Sequence, residues 1–210
     1  MTTLLSDPVR TVLDRLFTAS DRDDDLELAF PDGATSQEAA DALADVYMPV
    51  SASAGELLYA LVRSSRPETV VEFGTSYGIS TLHLAAAVAD NGTGHVFTTE
   101  LSAVKVTAAR SNLDEAGLGD HVTILAGDAL ETLASVPGPV GVVLLDGWKQ
   151  LCLPVLRQLE PRLAPGALVL ADDTNLPDLA GYLDYVRDPA NGYVSVHFPV
   201  GDGVEVSCRA

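Results

Sequence analysis

The spacing of apolar residues changes character about a third of the way along the chain. Before residue 66 it repeats as in helices. "SDPVRTVLDRLFTAS" follows a cap-like Ser6, with Pro8 near the first turn. "TSQEAADALADVYM" opens with a capping box from Thr35 to Glu38, and "SAGELLYALVRSS" with a second from Ser53 to Glu56. From about residue 67, short β-rich runs alternate with helical segments. "TVVEFG" precedes "STLHLAAAVAD", "HVFTTE" precedes "SAVKVTAARSNLDEAG", and "VTILAGD" precedes "ALETLAS". "GVVLLDG" then precedes "WKQLCLPVLRQLEPRL", and "ALVLADD" precedes "LPDLAGYLDYVRD". The strand runs are continuously apolar, as in strands covered on both faces. The alternation predicts a doubly wound, mostly parallel sheet in an α/β protein. The last two runs, "GYVSVHFP" and "GVEVSCR", flank Gly-Asp-Gly at 201–203 and predict an antiparallel hairpin on the sheet edge.

Composition narrows the picture. A chain of 210 residues, 47% of them hydrophobic, supplies one sizeable core, so one domain spanning 1–210 is expected. Within it, 1–66 reads as a helical cap region and 67–210 as the α/β core. No apolar run reaches the length of a membrane span, and "MTTLLSDPVR" lacks the pattern of a secretory signal. Two cysteines, Cys152 and Cys208, make no disulfide framework, and a reducing cytoplasm is the simplest setting. The net charge is −18, with 12 basic against 30 acidic residues. Nucleic acid is disfavoured as a partner, because its recognition leans on lysine and arginine. A small or cationic ligand fits better. Asp21, Asp23 and Asp25 have the first spacings of a calcium loop. Leu26 stands where that loop needs glycine and Asp32 where it needs glutamate, so 21–32 reads as a solvated acidic loop.

Each parallel-type run ends in an acid or is soon followed by one: Glu72, Glu100, Asp128, Asp146, and the pair Asp172 and Asp173. Open α/β sheets bind ligands outside the carboxyl ends of their strands, so the pattern gathers these acids on one rim. A single one of them reads equally well as a helix cap. Such a rim repels phosphate. "EFGTSYGIS" also has Ser76 where the dinucleotide fingerprint has its middle glycine, between Gly74 and Gly78. A phosphate-free ligand rich in donors and carrying positive charge suits the rim, and S-adenosylmethionine has those properties. Its carboxylate is expected to meet backbone amides near Gly74 to Ser76. Asp146, the sole tryptophan Trp148, and Lys149, one of two lysines, arrive together after the fourth run. The four histidines show no paired ligand spacing.

At these motifs the chain resembles the class I S-adenosylmethionine-dependent O-methyltransferases, in particular the catechol O-methyltransferase-like, metal-dependent branch, whose fold is Rossmann-like. The resemblance runs from about Tyr47 to Arg187. "VVEFGTSYGIST" looks like the family's first motif, "TTE" its ribose acid and "GDA" its adenine turn. "LLDGWK" and "LADD" resemble its metal and catalytic motifs, and "YMPVSASAGELLYALV" its stretch over the methionine end of the cofactor. The resemblance implies a methionine-side turn of Glu72, Gly74, Ser76, Gly78 and Ser80, with Met48 and Val50 packed over it. It implies Glu100 on the ribose, and Asp128 and Ala129 at the adenine. Asp146, Asp172 and Asp173 would hold Mg2+, Mn2+ or Ca2+, with Asp146 also bordering the cofactor. Trp148 would wall the cofactor and substrate pocket, Met48 and Pro177 would face the substrate, and Lys149 would be the general base. Asp172-Asp173 stands where the family often has Asp-Asn, and Val46 where some members have a gatekeeping tryptophan. Asp202 is the candidate for a substrate-contacting acid.

The activity implied is methyl transfer to a hydroxyl of a small vicinal diol, assisted by a divalent metal. Two other readings stay open: a metal-independent methyltransferase of the same fold, and a non-catalytic S-adenosylmethionine-binding protein. The N-terminal helices are expected to cover the site and to offer a homodimer contact.

Overall fold

A computed structural model describes residues 2–26 and 33–210. The segment 27–32, with Asp32, lies outside the described residues. Three N-terminal helices come first: α1 (Asp7–Ser20), α2 (Ser36–Ala42) and α3 (Ala52–Ser65). Then follow β1 (Thr69–Phe73), α4 (Ile79–Asn91), β2 (His95–Glu100), α5 (Ala103–Glu115), β3 (Val122–Ala126) and α6 (Ala129–Thr132). The chain continues through β4 (Val140–Leu145), α7 (Cys152–Leu159), β5 (Leu163–Ala171), α8 (Ala180–Arg187), β6 (Tyr193–Phe198) and β7 (Val204–Arg209). Among the described residues no helix is long and apolar enough to cross a membrane.

The seven strands form one sheet in the order β3-β2-β1-β4-β5-β7-β6. β1 to β5 run parallel, and β7 pairs antiparallel with both β5 and β6. The expected α/β sheet with its edge hairpin is therefore present. The apolar runs read continuously because the two faces bury alternate residues. Val142 and Leu144 join one core with α1, α3 and α4, while Val143 and Leu145 join the other with α7 and α8. α1 and α3 thus belong to one covering layer of the sheet, and α2 with the segment after it reaches the site.

Three local expectations need adjustment. The box from Thr35 to Glu38 forms, with both reciprocal bonds. The helix it starts ends at Ala42, short of the predicted "ADVYM". The cap of α3 lies two residues before Ser53: Ser51 accepts from the Ala54 amide at 3.1 Å, and no box to Glu56 forms. Both serines suit a cap, and the choice leaves Ala54, Leu58 and Val62 buried. Ser6 precedes α1 but its side chain makes no cap bond, and its Oγ donates instead to the Thr3 carbonyl.

After β1 the chain moves outward to β2 and β3, then returns to β4 on the other side of β1. That reversal opens a crevice above the carboxyl ends of β1 and β4. Phe73 lies opposite Leu145, and the Asp146 amide donates to the Phe73 carbonyl at 2.8 Å. Gly74 follows with φ +103°, and a Cβ there would lie 2.7 Å from the Asp146 carbonyl oxygen. Only glycine lets the two strand ends approach this closely.

Candidate active site

A cavity of about 630 Å³ fills the crevice. Of the expected site residues, Met48, Val50, Gly74, Ser76, Ser80, Glu100, Asp128, Ala129, Asp146, Trp148, Lys149, Asp173 and Pro177 line it. Glu72, Gly78 and Asp172 do not. Gly78 instead starts α4 with φ +89°, its α-carbon packed toward Ala109 of α5.

Glu72 departs most from the expected rim. It sits inside β1, opposite Thr98 and Leu144, and is fully buried. Its Oε2 accepts from the Thr81 hydroxyl. Burial pushes its carboxyl up to about 7, against the hydroxyls of Ser80, Thr81 and Thr98. It supports the turn from beneath.

The turn's amides also have other duties than expected. The Thr75 amide donates to the Thr99 carbonyl at 3.1 Å and the Ser76 amide to Glu100 Oε2 at 2.8 Å. A ligand carboxylate therefore does not meet these two. Glu100 accepts on its other oxygen from the Ser102 amide at 2.8 Å. Asp128 caps α6 through the Leu130 amide at 2.8 Å while still lining the cavity.

A strap of residues 44–50 roofs this end, and its fastening was not foreseen. Asp23, assigned to a solvated loop, accepts from the Tyr47 and Met48 amides at 2.7 and 2.9 Å through Oδ2. That bond holds Met48 in the left-handed region at φ +46°. Ser76 Oγ donates to the Tyr47 carbonyl, and Tyr77 donates to the Ala44 carbonyl. The Tyr47 and Tyr77 rings stack at 4.0 Å. Val46, at the gatekeeper position, is buried in the interior and does not line the cavity.

At the other end Asp146, Asp172 and Asp173 each offer a carboxylate oxygen, all within 4.8 Å of one another. The Asp172 amide donates to the Leu145 carbonyl, which ties the tip of β5 to that of β4. Asp173 adopts φ +59°. Asparagine and aspartate tolerate that conformation better than most residues, so either suits the position. Burial pushes the Asp172 carboxyl up to about 8, with the charges of Asp146 and Asp173 adding to the effect. Burial raises the Asp146 carboxyl as well, against the pull of Lys149. Three crowded oxygen donors make a site that gains from a hard cation, and they fit one of the magnesium type.

Lys149 bridges two of these acids, with Nζ 2.9 Å from Asp146 Oδ1 and 2.9 Å from Asp173 Oδ2. Burial alone would lower its pKa. The two carboxylates outweigh burial and hold the amine protonated, above its ordinary value. A general base must be partly neutral, and the two acids work against that. Trp148 stands beside it on the cavity wall, packed against the α7 side of the core. Pro177 lines the mouth. Asp202 instead borders a neighbouring hollow with Thr174, Asn175 and His197, and accepts from Asn175 at 3.2 Å.

The chain has only two lysines, and both line this cavity. Lys105 of α5 went unremarked in the sequence, although its rarity is the same signal that drew notice to Lys149.

Residues 71–174 match a family described as a methyltransferase domain. The chain is 31% identical over 147 residues to the catechol O-methyltransferase of Mus musculus, a match covering 67% of this chain and 55% of that protein. It is 31% identical over 141 residues to the catechol O-methyltransferase of Mycobacterium tuberculosis, covering 67% and 63%. The chain thus spans less than two thirds of the length of either relative. The O-methyltransferase TomG from Streptomyces achromogenes, solved in complex with SAM, shares the fold. Its TM-score is 0.68 at 23% identity, over 94% of this chain and 98% of that one. The sheet order and the acid-tipped crevice define a class I methyltransferase fold, and this chain belongs to that class. Within it, the chain falls among catechol O-methyltransferase-like proteins at about 30% identity.

Proposed function

We propose that the protein is an S-adenosylmethionine-dependent O-methyltransferase acting on a small vicinal diol, with a divalent cation held by Asp146, Asp172 and Asp173. The observation that carries this reading is the cluster of three carboxylates and Lys149 at the sheet's switch point, of which Asp146, Asp173 and Lys149 line one end of the cavity. Relatives named for catechol methylation support the acceptor class.

The chain's own residues divide the work. Glu100 and Asp128 receive the nucleoside's donors at one end. The Gly74 turn and the strap at Met48 would hold the methionine portion, with Trp148 on the wall of the same cavity. Met48, Trp148 and Pro177 enclose a flat acceptor and exclude water from the transfer. Bound at the three acids, a magnesium-type cation supplies the charge that eases loss of a proton from one of two adjacent hydroxyls. Lys149 Nζ is the group placed to take that proton. It can do so only when Asp146 and Asp173 direct their charge elsewhere, because paired with both it keeps its own proton. Fixing both reactants at contact distance contributes up to ~7–11 kcal/mol to lowering the barrier.

One observation favours a second reading. Lys149 already pairs with two of the three acids and burial raises the third, Asp172, to about 8, so a single net negative charge is left and a metal-independent transfer needs no further cation. Methyl transfer from labelled S-adenosylmethionine to vicinal aromatic diols, with magnesium or with excess chelator, separates the two. Transfer abolished by chelator and restored by magnesium is the expected result. Transfer indifferent to chelator would leave the metal-independent enzyme, and cofactor binding without transfer to any diol would leave a binding protein.

A further inference from the structure

We propose that Lys105 is a second recognition group for the cofactor's ribose, donating to a hydroxyl whose own proton goes to Glu100. This rests on the cofactor reading above.

Of the 12 basic residues, only Lys105 and Lys149 line the cavity. Lys149 is spoken for by Asp146 and Asp173. Lys105 is 3% exposed, and among the described residues its ammonium makes no hydrogen bond and no ion pair. A ring face is its one partner among those residues, a weak one for a largely buried lysine, whose cost is ordinarily offset by a hydrogen bond or an opposite charge. Its surroundings hold the side chain firmly. The Ser102 hydroxyl caps its backbone amide at 3.4 Å, and the Tyr77 ring lies 5.9 Å beneath its Nζ. Tyr77 is itself pinned by Tyr47 and the Ala44 carbonyl.

The acids around it indicate what is missing. Burial lowers the pKa of Lys105, and the charges of Glu100 and then Asp23 pull against that, yet neither carboxylate comes within ion-pair distance. The two oxygens of Glu100 each accept one backbone amide, from Ser76 and Ser102, which leaves each a lone pair. An ammonium only donates and a carboxylate only accepts. A group between them must accept from one and donate to the other. In S-adenosylmethionine the carboxylate and ring nitrogens only accept, and the amino groups serve as donors. The ribose hydroxyls do both. With Lys105 present, the hydroxyl is recognised in both directions.

Titration calorimetry of S-adenosylhomocysteine and its 2′-deoxy and 3′-deoxy counterparts tests this, using the wild type, Lys105→Met and Lys105→Gln. Lys105→Met is expected to bind S-adenosylhomocysteine about tenfold or more weakly. The penalty for deleting one of the two hydroxyls, about tenfold or more in the wild type, is expected to shrink to a few-fold in the variant. Lys105→Gln, which keeps a donor, should fall between, and it carries the test if Lys105→Met fails to fold. Unchanged affinity would overturn the proposal, as would uniformly weaker binding with both deoxy penalties intact, since water or a structural role then explains Lys105. A wild type that binds none of the three nucleosides overturns the cofactor reading along with it.

Discussion

At Lys149 two opposing influences meet, burial and a pair of carboxylates, and the carboxylates prevail. Lys149→Ala is expected to lower kcat for diol methylation by about 10²-fold or more, the usual scale for removing a proton acceptor. A steady-state assay that finds kcat within threefold of wild type would remove Lys149 from the chemistry. Glu72 carries the second prediction at this scale. Its folded pKa of about 7 lies above its ordinary 4.5, so the favourable contribution of its neutral form is complete below about 4.5. That contribution is lost as pH climbs through 7. Urea unfolding between pH 4.5 and 8 should therefore show Glu72→Gln losing less stability than wild type, by on the order of 2–3 kcal/mol. Parallel pH profiles would mean the carboxyl titrates as it does in the unfolded chain. Neither behaviour was legible from sequence. The runs "VVEFG" and "LLDG" both carry an acid near their end, but register decides depth: Glu72 pairs within the sheet while Asp146 follows the last paired residue of β4. Nor does residue type reveal whether a lysine will face water, apolar groups or acids.

The strap and the turn after β1 are the elements on which the cavity's shape rests. Asp23 satisfies two backbone amides of the strap from 24 and 25 residues away. Asp23→Ala should cost about 1–2 kcal/mol of stability, the usual scale for losing hydrogen bonds from partly exposed backbone amides to a carboxylate. It should also raise KM for S-adenosylmethionine more than it lowers kcat, a split that steady-state kinetics with saturating diol would show. Gly74→Ala forces a Cβ into backbone at 2.7 Å while the residue keeps φ +103°. It is expected to abolish measurable cofactor binding by calorimetry, and tight binding would show that the strand ends can part freely. Helices and strands were legible because their apolar periods differ and glycine, serine and threonine punctuate them. Caps that choose between two nearby serines were less so. A carboxylate bonded to distant amides leaves no periodic trace, so Asp23 passed for part of an acidic loop.

For the whole molecule, strand–helix alternation made a parallel sheet with its strand ends on one edge readable, but not the order β3-β2-β1-β4-β5 that opens the crevice between β1 and β4. The rim's placement at the carboxyl ends was readable in the same way, Glu72 excepted. Its division into a ribose end and a metal end was implied by the resemblance to a known family. Three crowded carboxylates in a chain of net charge −18 should respond to cations as a unit. Magnesium at about 100 times its Kd should stabilise the protein by about 2.7 kcal/mol, read as a rise in Tm. Asp172→Asn should remove most of that rise. A rise of equal size in the variant would place the cation elsewhere.

The two lysines have a practical consequence. An amine-selective acylating reagent meets only two side-chain amines in this protein, one at each end of the same cavity. Most proteins scatter such amines over their surface, where labelling reports little about occupancy. Here the mass added per molecule, beyond a terminal amine, becomes a two-channel footprint. Nucleoside should shield Lys105, while the acids around Lys149 keep it protonated and unreactive until something draws them away. Intact-mass spectrometry could then follow the filling of each end of the site on the unmodified chain, without a radiolabel or a known acceptor.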